Sequence, residues 1–234
     1  MTTKEDIQTV VKALKANNFN VQYLDKAKDA VPLILELVPH DATLEMAGSM
    51  SVVQLGLQEM LKERGNTGLE FPKPGEIPSR KDVLLVSTNA VTLDGKLVNL
   101  DGMGNRVASM VYGVKKVILL VGQNKIVPDL ETALDRVQNT IAPYHAKYLG
   151  MKTPCAKTEE CSDCDAPMRI CNITTIISKK PPMMDFTIIL VGEDLGLGWD
   201  PDWPQERIEK IQSTYRKEIQ EFIAKLPPPP YRSE

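Results

Sequence analysis

Three apolar runs limit what this chain can become. "DVLLVST" (82–88), "VKKVILLVG" (114–122) and "DFTIILVGE" (185–193) carry apolar residues in succession rather than in strict alternation. Such strands are buried on both faces, as when helices cover the two sides of a parallel sheet. The intervening segments supply those helices. Over residues 3–17, Ile7, Val10, Val11 and Leu14 fall at the three-and-four spacing of an amphipathic helix. "KDAVPLILELVP" (28–39) reads as a helix with Pro32 near its first turn, and "GNRVASMVYG" (104–113) as a short one. "AGSMSVVQLGLQEMLKERG" predicts a glycine turn opening one helix that ends at Gly65, and "PDLETALDRVQNT" (128–140) a helix opened by proline. "FNVQYL" (19–24), "ATLEM" (42–46) and "ITTIIS" (173–178) are further strands, and "VTLDGKLVNL" (91–100) is a hairpin turning at Asp94-Gly95. Helices alternating with apolar strands give an α/β fold with a mainly parallel sheet.

This reading places one α/β domain over residues 1–200, interrupted near 70–81 by the proline-rich connector "EFPKPGEIPSRK". Residues 201–234 add a last helix (204–226), with Ile208, Ile211, Tyr215, Ile219 and Phe222 on one face, and a polyproline tail. Trp199 and Trp203 are expected to pack that helix onto the core, with a partner surface as the alternative. A formal net charge of −3 offers no general attraction for nucleic acid, whose affinity rests on phosphate neutralisation. The longest apolar runs fall far short of the roughly 18–20 residues that span a bilayer. The charged, helix-period start "MTTKEDIQTVVKALK" lacks the apolar stretch of a signal peptide. A soluble, cytoplasmic protein is therefore expected, one in which stable disulfides are rare.

All four cysteines of the 234-residue chain nevertheless fall within "CAKTEECSDCDAPMRIC" (155–171). Cys155, Cys161, Cys164 and Cys171 have the spacing C-x5-C-x2-C-x6-C, with Pro154 and Pro167 stiffening the loop. Thiolates suit iron–sulfur clusters or zinc. Zinc favours paired short arms and only one C-x2-C pair is present, whereas the irons of a [4Fe–4S] cluster lie apart and accept unequal arms. The expectation is a cysteine-ligated [4Fe–4S] cluster on a surface loop over 151–172, with structural zinc or a redox thiol site as alternatives. His145, just before the loop, is a candidate fifth ligand or hydrogen-bond donor to sulfur; His40 reads as a helix-end cap.

Three polar strand exits are candidates for ligand binding. Gly48-Ser49 joins a strand to a helix start, where backbone N–H groups suit an anion, although a plain Ser cap reads the same way. Ser87, Thr88 and Asn89 leave a buried strand at its carboxyl end, where open α/β sheets place their ligands. Asn99, Asp101, Gly102, Gly104, Asn105 and Arg106 follow on the return from the hairpin, with Arg106 placed to pair with an anion. Lys125, in "VILLVGQNKIV", leaves a third strand end. These exits are expected to share one crevice for a small anionic ligand.

The stretches "AGSMSVVQLGL", "STNAVTLDGKLVNLDGMGNRVASMVYG" and "LLVGQNKIV" resemble the LUD domain of lactate-utilization proteins. "PCAKTEECSDCDAPMRICNITTIISKKP" together with "ILVGEDLGLGW" resembles the C-terminal half of short, single-domain members. The resemblance runs over roughly residues 5–200. It implies a Rossmann-like three-layer fold related to ribose-5-phosphate isomerase and the CoA transferases. It also implies that the loops at Gly48-Ser49 and Gly102–Asn105 hold phosphate or CoA groups. Where several such relatives carry a catalytic carboxylate this chain has Asn89, and an amide cannot act as a general base. Longer relatives work beside iron–sulfur subunits in oxidising lactate to pyruvate, so the resemblance implies a redox component in 2-hydroxy-acid metabolism. No flavin or nicotinamide motif is visible, so an electron-transfer or dehydrogenase partner would supply that chemistry. The alternative is a stand-alone domain that binds or transfers a phosphate- or CoA-type ligand, with zinc holding the loop.

Overall fold

The computed structural model describes residues 2–69 and 81–196, with 206 and 209 as isolated helical positions. Most of the 70–81 connector, Trp199, Trp203, the helix expected over 204–226 and the polyproline tail lie outside the described residues. In chain order, α1 (Lys4–Ala16) leads to β1 (Asn20–Leu24), α2 (Ala30–Leu37) and β2 (Leu44–Glu45). Then come α3 (Met50–Gln54), α4 (Leu57–Glu63), β3 (Val83–Val86), β4 (Ala90–Thr92), β5 (Leu97–Asp101) and α5 (Asn105–Val111). After β6 (Lys116–Gly122) and β7 (Ile126–Val127) follow α6 (Leu130–Asp135), α7 (Ala142–Leu149), α8 (Cys155–Thr158), β8 (Ile173–Ile177) and β9 (Asp185–Val191).

Five strands form a wholly parallel sheet in the order β1-β9-β6-β3-β2. The apolar runs supply β3, β6 and β9, and their side chains divide between two cores. Leu84, Val86, Val117, Leu119, Val121, Ile188 and Leu190 meet Ile7, Val10 and Leu14 of α1 on one face. Val83, Leu85, Ile118, Leu120, Ile189 and Val191 meet Ile34 of α2, Val52 of α3 and Leu57 and Leu61 of α4 on the other. Successive residues of a strand point to opposite faces, so strands packed on both sides need apolar residues at every position. The three-layer α/β arrangement is the expected one.

The sequence reading did not separate a second sheet. Four strands run in the order β7-β4-β5-β8, with β4 antiparallel to β5, β5 antiparallel to β8, and β4 parallel to β7. The expected hairpin therefore joins a partner sheet instead of standing alone. Val91, Leu97 and Ile177 turn one face of this sheet toward the α1 side of the main core, while Ala90, Val98 and Val127 meet Ala133 and Val137 on the other.

Two helices depart from expectation. The helix expected to run to Gly65 breaks at Gly56, whose φ of +67 is left-handed, leaving the short α3 and the separate α4. The helix expected to end near 140 instead continues to Leu149, through a π-helical segment over Arg136–Ile141. Pro143 near the start of α7 has no N–H to give and its ring crowds the carbonyl one turn back, which disfavours an uninterrupted α-helix there. Asp129, not Pro128, caps the start, its carboxylate accepting from the Thr132 N–H. Among the described residues no helix is long and apolar enough to cross a membrane.

At the end of β6, a Cβ on Gly122 would lie 2.5 Å from the Leu195 backbone nitrogen and 2.8 Å from the Glu193 carbonyl oxygen. Backbone cannot swing aside as a side chain can. Gly122→Ala is expected to lower stability by about 1–3 kcal/mol, as overpacking does, measured by urea unfolding. The same substitution at Gly113, whose Cβ would meet nothing within 4 Å, isolates the smaller cost of a positive φ.

Candidate functional site

The carboxyl ends of β2, β3, β6 and β9 open on one crevice with a cavity volume of about 320 Å³. Each strand exit sends a loop into it: Ala47–Ser51 after β2, Ser87–Asn89 after β3, Lys125 after β6, and Leu195 and Gly196 after β9. The opposite wall comes from Asp101–Met103, Asn105 and Arg106, from Arg136 and His145, and from Pro167–Ile170 of the cysteine loop. Of the residues singled out in the sequence, Gly48, Ser49, Asn89, Gly102, Asn105, Arg106 and Lys125 border this cavity. Asn99 and Gly104 do not. Asn99 is fully buried behind the wall, and Gly104, at φ +86, ends the turn into α5.

Arg106 organises the wall. Its Nη1 donates to the Ser87 carbonyl at 3.2 Å and to Asn99 Oδ1 at 2.8 Å. Its Nη2 donates to Asn89 Oδ1 at 3.0 Å and to the Leu100 carbonyl at 2.8 Å, and its Nε lies 3.5 Å from Asp101 Oδ2. The planar fork thus ties the exit of β3 to the end of β5. Asn89 completes the joint by accepting from the Leu100 N–H at 2.9 Å. The amide at this position accepts two hydrogen bonds through Oδ1. Asn105 is likewise engaged, its Nδ2 donating to Glu45 Oε1 at 3.1 Å.

Lys125 is the unusual group. It is only 8% exposed, and its Nζ makes hydrogen bonds to Ser51 Oγ at 2.8 Å and Ser87 Oγ at 2.6 Å. Among the described residues no carboxylate pairs with it. Burial, and then the nearby Arg106 and Arg136 guanidinium groups, push the Lys125 ammonium down from its ordinary value to about 7. Arg136 donates through Nε to the Asn89 carbonyl at 3.5 Å, while its Nη2 is buried with no hydrogen-bond partner. Burial lowers its pKa too, with Asp194 opposing. Burial and the Arg106 charge push His145 down to about 4, so the imidazole facing the crevice is neutral at physiological pH.

Ser51, Arg136 and His145 were not read as crevice residues. Ser51 and Arg136 sit inside helical patterns, where a serine and an arginine look like ordinary helix-surface positions. The π turn that brings Arg136 to the crevice has no signature in the sequence comparable to a glycine turn.

The cysteine loop is more than an excursion. After the single turn of α8 it folds back along α7, where Cys155, Ala156, Met168 and Ile170 pack against Ala146, Leu149 and Met151. A Cβ on Gly102 would lie 3.0 Å from Ile170 Cα, so the glycine lets this loop pass close beside the crevice wall. All four cysteines are half-buried free thiols. Arg169 donates to Cys171 Sγ at 3.3 Å, to the Cys164 carbonyl at 2.6 Å and to Asp163 Oδ1 at 3.1 Å, and Gln138 Nε2 reaches Cys161 Sγ at 3.8 Å. Donors aimed at sulfur suit thiolate ligands, so the donor set fits a cysteine-ligated centre in kind. As arranged, no three His, Cys, Asp or Glu side chains among the described residues are grouped to hold a metal ion.

A parallel α/β domain with a polar crevice at its strand ends, walled by a second sheet and a cysteine loop, defines the class. The LUD domain model matches residues 7–191, most of the chain, and the protein belongs to the LUD domain family. No curated protein matches the sequence. Among solved structures, a DUF162 family protein from Deinococcus radiodurans is similar at 11% identity and a TM-score of 0.45, over 80% of this chain and 97% of that one.

Replacing Arg106 by alanine leaves four oxygen acceptors and the Asp101 carboxylate without its guanidinium. Arg106→Ala is expected to cost about 3–5 kcal/mol of stability, as when one partner of a buried pair is removed, read by urea unfolding. Arg106→Lys should recover little, because an ammonium cannot span the same acceptors.

Proposed function

We propose that the crevice binds a small anion, a carboxylate or phosphate, and that the protein serves lactate or related 2-hydroxy-acid utilization in this role. One observation carries the reading: Lys125 has only hydroxyl partners, and Arg136, which borders the same cavity, has a buried Nη2 that no protein acceptor satisfies. Buried cationic groups without carboxylates are costly, and an incoming anion relieves that cost. Neutral His145 and the Ser49 and Ser51 hydroxyls add uncharged hydrogen-bonding groups beside them. Family membership supports the metabolic setting.

Titration calorimetry with lactate and with inorganic phosphate tests the reading. Arg136→Ala is expected to weaken binding by about 1.5–3 kcal/mol, the scale of a charge-assisted hydrogen bond. Binding also depends on pH with a definite sign. Lactate remains ionised above pH 6, whereas Lys125 loses its proton on passing about 7. Lactate affinity is therefore expected to fall as pH is raised from about 6 to 9, by about tenfold for the loss of one charged partner. Undetectable binding of either anion, or an affinity indifferent to Arg136, sinks the reading.

The cysteine loop favours a redox role within the same protein. Its four thiols are free, with Arg169 and Gln138 donating to two of the sulfurs, and its residues Pro167–Ile170 line the crevice. Cys155, Cys161, Cys164 and Cys171 would hold a [4Fe–4S] cluster, which when bound passes single electrons to or from a partner protein. Structural zinc on the same thiols, in a stand-alone ligand-binding or transferase-like domain, is the alternative. Anaerobic reconstitution with iron and sulfide is expected to give a brown protein with visible charge-transfer absorption, weakened in Cys161→Ser. Colourless protein retaining one zinc supports the alternative, and neither metal removes both.

A further inference from the structure

We propose that Lys125 is a covalent nucleophile, forming a Schiff base with a small carbonyl compound that also carries an acidic group. This rests on the reading of the crevice as an anion site and adds a bond to it. The geometry of the amine carries the argument. Nζ has two hydrogen-bond partners, Ser51 Oγ at 2.8 Å and Ser87 Oγ at 2.6 Å. Ser87 gives its own proton to the Leu120 carbonyl at 2.6 Å, so toward Lys125 it acts as an acceptor. An ammonium has three N–H groups to place, and a third would be left in a buried site near two guanidinium groups. A neutral amine has two N–H groups, matched by the two hydroxyls, and a lone pair left over. The electrostatics agree: burial, Arg106 and Arg136 together bring the ammonium to about 7, so a large fraction is free amine at neutral pH.

The chemistry balances without an outside oxidant or reductant. The Nζ lone pair attacks the carbonyl carbon and forms a C–N bond, while the carbonyl π electrons move to oxygen. That oxygen takes up a proton and nitrogen gives one up. A second proton, drawn from solvent through the serine hydroxyls, converts the carbinolamine hydroxyl to water, which leaves with the C–O electron pair as the nitrogen lone pair closes the C=N bond of the iminium. Ser51 and Ser87 lie within hydrogen-bond reach of Nζ and can carry these protons. The Arg136 guanidinium borders the same crevice and has an Nη2 that no protein acceptor satisfies, which makes it the cation to meet the acidic group. A 2-oxo carboxylate and a phosphorylated ketone both meet the requirement, and the experiment separates them.

The full-length protein is incubated near neutral pH with pyruvate or with dihydroxyacetone phosphate. Cyanoborohydride is included to reduce the iminium to a stable secondary amine, and the digest is mapped by mass spectrometry. The reduced adduct is expected on the peptide bearing Lys125, suppressed by excess lactate or phosphate and lost in Lys125→Arg. Exposed Lys12 and Lys157 should show no more than background labelling. An adduct with pyruvate alone assigns an oxo acid, and one with dihydroxyacetone phosphate alone a phosphorylated ketone. Mapping on the unaltered protein keeps the test valid even if the variant folds poorly. No adduct on Lys125 with either probe overturns the proposal. Calorimetry with lactate and phosphate on the same preparation then tells whether the anion site survives it: binding without an adduct rejects the covalent step alone, and no binding rejects both.

Discussion

Burial on both faces of the parallel sheet is the constraint from which the rest follows. With α1 and the second sheet on one side and α2, α3 and α4 on the other, β3, β6 and β9 have no polar face. Polar chemistry can appear only where the strands end. At the carboxyl ends the chain turns through short polar segments, and the Arg106 guanidinium joins one of these, Ser87–Asn89, to the end of β5. The two sheets that meet at the crevice are thus joined by hydrogen bonds as well as by their shared apolar core. An α/β sheet places its ligands at this edge for the same reason.

The charge distribution inside the crevice is one-sided. Asp101 is its acidic residue, and Asp101 is already committed to Arg106 and to the N–H groups of Gly104 and Val107. Lys125 has no such compensation among the described residues, and Arg136 forms no ion pair there, feeling only the Asp194 charge from beyond contact. A low-dielectric site with excess positive charge favours the neutral form of whichever basic group gives up its proton most readily. Arginine holds its proton tightly, so lysine and histidine yield. Lys125 and His145 do so by different amounts, which leaves one neutral ring and one amine near its midpoint beside two permanent cations.

Much of the fold was legible because the apolar runs at β3, β6 and β9 admit few arrangements. The crevice was legible in outline because Gly48, Asn89, Gly102 and Lys125 each stand where a strand stops. Arg106 was recognised as important, but as an anion partner. Its saturation by protein acceptors depends on the backbone carbonyls of Ser87 and Leu100, which carry no sequence signal. The second sheet escaped notice because β8 reads as a sheet strand without saying which sheet it joins. Helix continuity failed twice, at Gly56, where a left-handed residue separates α3 from α4, and at Arg136–Ile141, where helical periodicity changes without a break.

That change of period fixes the angular phase of everything downstream of it. Arg136 and His145 are nine residues apart, which in an α-helix is about two and a half turns and would put them on opposite sides. Both border the crevice. The wider turns of the π segment advance the chain less per residue, and so bring the second side chain round toward the first. One side of the site is therefore defined by the count of residues between two positions, not only by their identity. Eight residues apart, the two would stand about two and a quarter turns along a plain α-helix and already share neighbouring faces, so the wider turns over Arg136–Ile141 are what let the ninth residue be carried without turning one basic group away.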